Sequence, residues 1–112
     1  NVVDINNPLA PRLARSLDIP ATNVAQFHIG SLSVKDRFLY VHTCGSYCAP
    51  ATLTTFDLST MSITSQISAY ISTEIQFGDG FGYSGALSYA GSSLTVLDMS
   101  DPARPRVVPF FP

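Results

Sequence analysis

The chain has 112 residues, the size of one small domain with its own core. Hydrophobic residues make up 46% of it and charged residues only 12%, a balance that argues against disorder. The formal net charge of −2 leaves no basic stripe, which argues against nucleic acid as a partner, and no apolar run approaches the ~20 residues of a membrane span.

The first predicted element is a hairpin of strands in VVDINNPLAPRLA, residues 2–14, which we call the N-terminal motif. An apolar strand ends at Asp4, and Asn and Pro residues supply the turn. Pro8 and Pro11 stand where no ladder N–H is needed, and their presence argues against a helix in this segment.

Further short strands are predicted along the chain. Residues 24–43 give two strands around a turn at residues 35–37, because apolar and polar residues alternate at Leu32 and Val34. Residues 52–68 predict another hairpin, with its turn after Asp57, and residues 74–91 two more strands.

The last predicted hairpin, VLDMSDPARPRVV at residues 96–108, nearly repeats the first, and we call it the C-terminal motif. Asp98, Pro102 and Pro105 stand 94 residues after their counterparts in the N-terminal motif. Asp57 lies 53 residues after Asp4 and 41 before Asp98, and periods of this length are typical of β-propeller blades. Because the three aspartates recur at one place in each hairpin, we expect them to bind turn N–H groups.

LTVLDMSDPARPRVV resembles the LVIVD-type propeller repeat. In that repeat an apolar strand ends at Asp, and a turn follows that contains Ser, then either Asn or Asp, and then Pro. NVVDINNPLAPRLA is slightly less similar, and TFDLSTMSI keeps the Asp and Ser without the prolines. The resemblance implies an all-β chain of four-stranded antiparallel blades: a half-blade at 1–22 and blades at 23–70 and 71–112. It also implies a secreted or cell-surface protein without an assigned reaction.

A propeller closes with about four to eight blades, more than this chain provides. We therefore expect a partial propeller, completed by other chains, identical or different, or by a longer parent chain.

Cys44 and Cys48 lie close together in TCGSYCAP, which favours a local disulfide and an extracellular, cell-surface or periplasmic location. Free thiols and a metal site are the alternatives. His42, Cys44 and Cys48, with His28 as the remaining candidate, have the soft ligands that bind zinc or copper.

Gly80, Gly82 and Gly85 match the letters of a dinucleotide fingerprint, but strand-like sequence follows where a helix is required. Asp79 is a possible calcium ligand and more typical of a turn. We expect most of the aromatic residues Phe77, Phe81, Tyr83, Tyr89, Phe110 and Phe111 to pack in the core. A platform for carbohydrate or peptide is the alternative.

The sequence thus favours a non-catalytic propeller scaffold for recognition or assembly. The first alternative is a segment of a propeller enzyme whose metal-dependent or hydrolytic site is shared with other chains. The second is a filament subunit in which the free half-blade of one copy completes the next.

Overall fold

The computed structural model describes residues 2–16, 28–44, 51–71, 73–88 and 91–109. These residues form ten β-strands and no helix, which confirms the predicted all-β fold for this part of the chain. None of them therefore belongs to an apolar helix long enough to cross a membrane. The strands are β1 (Val2–Asp4), β2 (Arg12–Arg15), β3 (His28–Lys35), β4 (Phe38–Cys44), β5 (Ala51–Asp57), β6 (Ser62–Ser68), β7 (Gln76–Gly78), β8 (Phe81–Ser88), β9 (Gly91–Asp98) and β10 (Arg106–Val107).

The strands form three antiparallel sheets. The N-terminal hairpin consists of β1 and β2. The first sheet has four strands in the order β3-β4-β5-β6, and the second sheet has four in the order β7-β8-β9-β10. Each four-stranded sheet is therefore a meander in which consecutive strands are neighbours.

Two tight turns open the two meanders in the same way. Asp36 and Asp79 have φ values of 55° and 51°, a left-handed conformation that Asp adopts more readily than most residues. Gly80 follows with φ 79°, so a side chain there would be strained. These turns reverse the chain between the first two strands of each sheet.

The core lies between the first and second sheets. Phe38, Tyr40 and Leu53 project from the first sheet and are at most 6% exposed; we call this side its packing face. Leu97 of the second sheet is fully buried against it, and Ile71 closes the core from the connecting segment. Burying a leucine or isoleucine side chain contributes about 1.5–3 kcal/mol, so this contact holds the two sheets together.

Candidate functional site

The N-terminal and C-terminal motifs have the same turn structure. Asp4 Oδ1 accepts a hydrogen bond from the Asn6 N–H at 2.9 Å, and Asp98 Oδ1 accepts one from the Ser100 N–H at 2.9 Å. The second carboxylate oxygen of each aspartate faces an arginine: Asp4 lies 3.4 Å from Arg12, and Asp98 lies 3.3 Å from Arg106. Each carboxylate is thus engaged within its own turn.

The turn after β5 preserves this arrangement with a different arginine. Asp57 Oδ1 accepts hydrogen bonds from the Ser59 hydroxyl at 2.6 Å and the Ser59 N–H at 2.9 Å. Its Oδ2 lies 3.4 Å from Arg37, which comes from the turn between β3 and β4 rather than from the strand that follows Asp57. This segment has no prolines at the equivalent positions, yet its carboxylate is bound by the turn and paired with an arginine as in the other two hairpins.

These contacts lower the pKa values of the Asp57 and Asp98 carboxyl groups. The hydrogen bond from the Ser59 hydroxyl is the largest cause for Asp57, and the hydrogen bond from the Ser100 N–H is the largest cause for Asp98. Arg37 and Arg106 lower the pKa further. A carboxyl group with a lowered pKa is a poor general base at neutral pH, so these aspartates are suited to holding turns.

The C-terminal motif docks on the packing face of the first sheet through two hydrogen bonds to its turn. The Tyr40 hydroxyl donates to the Pro102 carbonyl oxygen at 2.7 Å. The Thr64 hydroxyl donates to the Ala103 carbonyl oxygen at 2.7 Å. The Asp-x-x-x-Pro turn is therefore both a hairpin connection and the contact surface between two sheets.

The pKa of the Tyr40 hydroxyl is raised at this interface. Burial raises its pKa to about 12, with smaller contributions from the carboxylates of Asp36 and Asp101. The hydroxyl therefore stays protonated at neutral pH and remains a donor to the carbonyl of the docked turn.

The second sheet carries counterparts of the packing-face residues on its outer face. Asp36-x-Phe38-x-Tyr40 recurs as Asp79-x-Phe81-x-Tyr83, at the same place after each tight turn, and Leu94 stands four residues before Asp98 as Leu53 stands four before Asp57. The exposures differ sharply: Phe38, Tyr40 and Leu53 are 6%, 1% and 0% exposed, whereas Phe81, Tyr83 and Leu94 are 40%, 40% and 49% exposed. Among the described residues, the outer face of the second sheet has no sheet packed upon it.

The sequence carries a signal for this face in the Asp-x-Phe-x-Tyr spacing of residues 36–40 and 79–83. This spacing lies apart from the repeated aspartate and proline turns. Phe77 is half-buried and its ring centroid lies 5.6 Å from that of Tyr40, as expected for a core residue. The expectation of core packing is wrong for Phe81 and Tyr83, because no described element covers them. Tyr89, Phe110 and Phe111 lie outside the described residues.

The N-terminal motif shows the complementary contrast. In the C-terminal motif four apolar side chains are buried or half-buried, and they are Leu97, Met99, Ala103 and Pro105. Their counterparts in the N-terminal motif are exposed, and they are Val3, Ile5, Leu9 and Pro11. Pro8 is exposed as well, whereas its counterpart Pro102 is half-buried.

Three of the four predicted metal ligands, His28, His42 and Cys44, lie on β3 and β4 at one end of the first sheet. His28 pairs with Cys44 in the backbone register between β3 and β4, and His42 lies two residues earlier on β4. His42 is 2% exposed, and a Cβ added to Gly30 would lie 2.8 Å from its Nδ1. Cys48 lies outside the described residues, and within the described ranges no three His, Cys, Asp or Glu residues form a group that could hold a metal.

The Gly80, Gly82 and Gly85 pattern belongs to the hairpin of β7 and β8, so no helix N-terminus follows it. A Cβ at Gly82 would lie 2.8 Å from Ile75 Cγ2, so this glycine permits close packing. Asp79, the candidate calcium ligand, is the first residue of the tight turn.

Two shallow depressions, of about 280 and 310 Å³, lie beside Asp4 with Arg12 and beside Asp98 with Arg106. Each has one carboxylate among its lining residues, already paired with its arginine. An acid/base pair needs two groups converging on one substrate, so these lining residues provide turns rather than a reaction centre.

No protein-family model, curated protein or solved structure matches the chain significantly. The functional interpretation therefore depends on the residues and contacts of this chain.

Proposed function

We propose that the chain is a non-catalytic scaffold of the LVIVD-type β-propeller class, in which the first and second sheets are successive blades and the N-terminal hairpin belongs to a further one. Other polypeptide completes the propeller. One observation carries this proposal: the outer face of the second sheet exposes Phe81, Tyr83 and Leu94, whose counterparts on the first sheet are buried by the neighbouring sheet.

The strand order supports the same interpretation. Propeller blades are four-stranded antiparallel meanders, and the first and second sheets are both of this kind. The Asp-x-x-x-Pro turn of the second sheet joins its third and fourth strands and reaches back to the first sheet through Tyr40. In a propeller, blades that are consecutive in the chain pack side by side, and this contact between consecutive sheets agrees with that arrangement.

The scaffold role is supported by the chemistry of the aspartates. Asp4, Asp57 and Asp98 each bind their own turn, so the carboxylates at the repeated positions hold the hairpins. The enzyme alternative rests on His42 and the two cysteines; it remains an alternative that a bound zinc or copper ion would favour.

A secreted or cell-surface location is proposed from the low charge and from the spacing of Cys44 and Cys48. Peptide mass mapping without reductant tests it: a bridged loop has a mass lower by two hydrogens than the reduced loop. Fully reduced cysteines in the protein isolated from its natural source would contradict this part of the proposal.

The direct test of the propeller is the native particle that contains this chain. Its mass and subunit composition, with averaged electron micrographs, should give a radial array of about four to eight sheets, with mixed subunits if different chains complete it. A particle that is a folded monomer without radial order would contradict the proposal.

A further inference from the structure

We infer that the outer face of the second sheet binds the N-terminal motif of a second copy of this chain. The inference rests on the proposed propeller-like packing and names the partner for its uncovered face. The chain exposes both halves of an interface that it also forms internally, so two copies could join head to tail by repeating that interface.

The binding side of the N-terminal motif is available and has the required shape. Its turn has the hydrogen bonds of the C-terminal motif: the Ala10 N–H donates to the Asn7 carbonyl at 3.0 Å, as the Arg104 N–H donates to the Asp101 carbonyl at 2.9 Å. Ile5 is 69% exposed, whereas its counterpart Met99 in the buried core is 7% exposed. The N-terminal motif thus presents, uncovered, the apolar side chains that the C-terminal motif buries.

The receiving face offers the matching polar contact. Tyr40 donates its hydroxyl hydrogen to the Pro102 carbonyl, and Tyr83 is its counterpart on the outer face. In the inferred complex the Tyr83 hydroxyl donates to the carbonyl oxygen of Pro8 in the second copy. Phe81 and Leu94 supply the apolar surface, as Phe38 and Leu53 do on the packing face.

Two hydrogen bonds onto the packing face have no counterpart in the inferred contact. The first runs from the Ile75 N–H to the Ser33 hydroxyl at 2.8 Å, and Ile75 lies outside the C-terminal motif. The second is that of Thr64. Val107 pairs with Leu97 as Ile63 pairs with Phe56, which places Val108 at the position of Thr64. Valine has no hydroxyl to donate to the docked turn, whereas Thr64 donates to Ala103. The contact between copies should therefore be weaker than the contact between sheets, which suits a concentration-dependent assembly.

The inferred contact uses two different surfaces, so it is heterologous. Heterologous contacts produce a closed ring if the rotation between copies closes, and an open filament if it does not. The ring and the filament use the same contact. The size distribution of the wild-type assemblies distinguishes them, because a ring has one fixed size and a filament has many.

Two variants block the two halves separately. Leu94→Asp places a charge on the outer face of the second sheet, and Ile5→Asp places one on the N-terminal motif. Both positions are exposed within the chain, so both variants should fold, which far-UV circular dichroism and thermal unfolding verify. Leu32→Asp is the matched control, because Leu32 is 53% exposed on a strand of the first sheet and belongs to neither half.

Native mass spectrometry and light scattering over a range of concentrations give the readout. The wild type and Leu32→Asp should form species above the 12.0 kDa of the single chain, and each blocking variant alone should remain a monomer. An equal mixture of the two blocking variants should stop at a one-to-one dimer, because one free half remains on each chain. If a blocking variant loses its strand signal, Leu94→Ser and Ile5→Ser replace the pair.

The hydrogen bond has its own test within that dimer. Adding Tyr83→Phe to the Ile5→Asp chain should raise the dimer Kd roughly two- to tenfold. An unchanged Kd would overturn the assigned contact, and a wild-type chain that stays monomeric, or a mixture that does not dimerise, would overturn the inference.

The inference and the proposed function fail separately. If the wild-type chain is a monomer but the native particle is a radial array of mixed subunits, a different chain occupies the outer face and the propeller stands. If the mixture dimerises but the particle lacks radial order, self-docking stands and the propeller fails.

Discussion

The most informative single substitution is Tyr40→Phe, which removes one hydroxyl from the interface between the two sheets. Tyr40 is 1% exposed, and its hydroxyl donates to the Pro102 carbonyl oxygen at 2.7 Å. Phenylalanine keeps the ring and its packing, so the loss is confined to the hydrogen bond and to the carbonyl left without its donor.

The expected cost is about 1–2 kcal/mol, since a hydrogen bond contributes about 1 kcal/mol net and an unsatisfied buried acceptor adds to the loss. For a domain near this size the melting temperature falls by about 4–8 °C per kcal/mol, so we expect a decrease of about 5–15 °C. Urea unfolding at neutral pH, at a protein concentration low enough to keep the chain monomeric, measures the free energy of unfolding.

Tyr83→Phe is the matched control, because Tyr83 is the counterpart of Tyr40 and is 40% exposed. It should leave the free energy of unfolding of the isolated chain within about 0.5 kcal/mol of the wild type. Equal destabilisation by the two substitutions would refute the distinction between the packing face and the outer face, and so would a Tyr40→Phe variant as stable as the wild type.

Three further predictions concern the stability of the isolated chain. Leu97→Ala should lower the free energy of unfolding by about 2–5 kcal/mol, whereas Val3→Ala at the equivalent exposed position should change it by less than about 0.5 kcal/mol, as denaturant unfolding will measure. The pKa of Tyr40 is about 12 in the folded chain against about 10 unfolded, so the stability that its neutral hydroxyl contributes is present below pH 10 and should be lost as the pH rises through 12. Thermal melts of wild type and Tyr40→Phe should therefore converge over that interval, and parallel curves would contradict the assignment. Folding lowers the pKa of Asp57, so the stability that its carboxylate contributes is present above the unfolded pKa and should be lost as the pH falls below that value. Asp57→Asn should therefore flatten the acid side of the curve of unfolding free energy against pH. An acid side that is unchanged in this variant would contradict the prediction.

The sequence was sufficient to predict the strand content and the hairpins. Prolines at positions 8 and 11, and at 102 and 105, exclude a helix by local sterics, and the alternation around Leu32 requires a strand. The aspartate turns could also be anticipated from local sequence, because an Asp carboxylate can accept a hydrogen bond from the N–H two residues ahead.

The interface could not be predicted in the same way, because burial is decided between segments that are distant in sequence. Phe38 and Phe81 each stand two residues after the aspartate of a tight turn, yet Phe38 is buried and Phe81 is exposed. The difference depends on which sheet packs on which face. Arg37 as the partner of Asp57 also required the structure, since the other two arginines follow their aspartates by eight residues.

The most direct measurement of the central claim is hydroxyl-radical footprinting of the native particle and of the isolated chain. Tyr83 should be oxidised in the isolated chain and protected in the particle, because another sheet or hairpin covers the outer face there. Tyr70, which is 45% exposed on the segment between the sheets, is the reference side chain for the dose. A Tyr83 that is oxidised in the particle as readily as in the isolated chain would contradict the claim that this face is the next interface of the propeller.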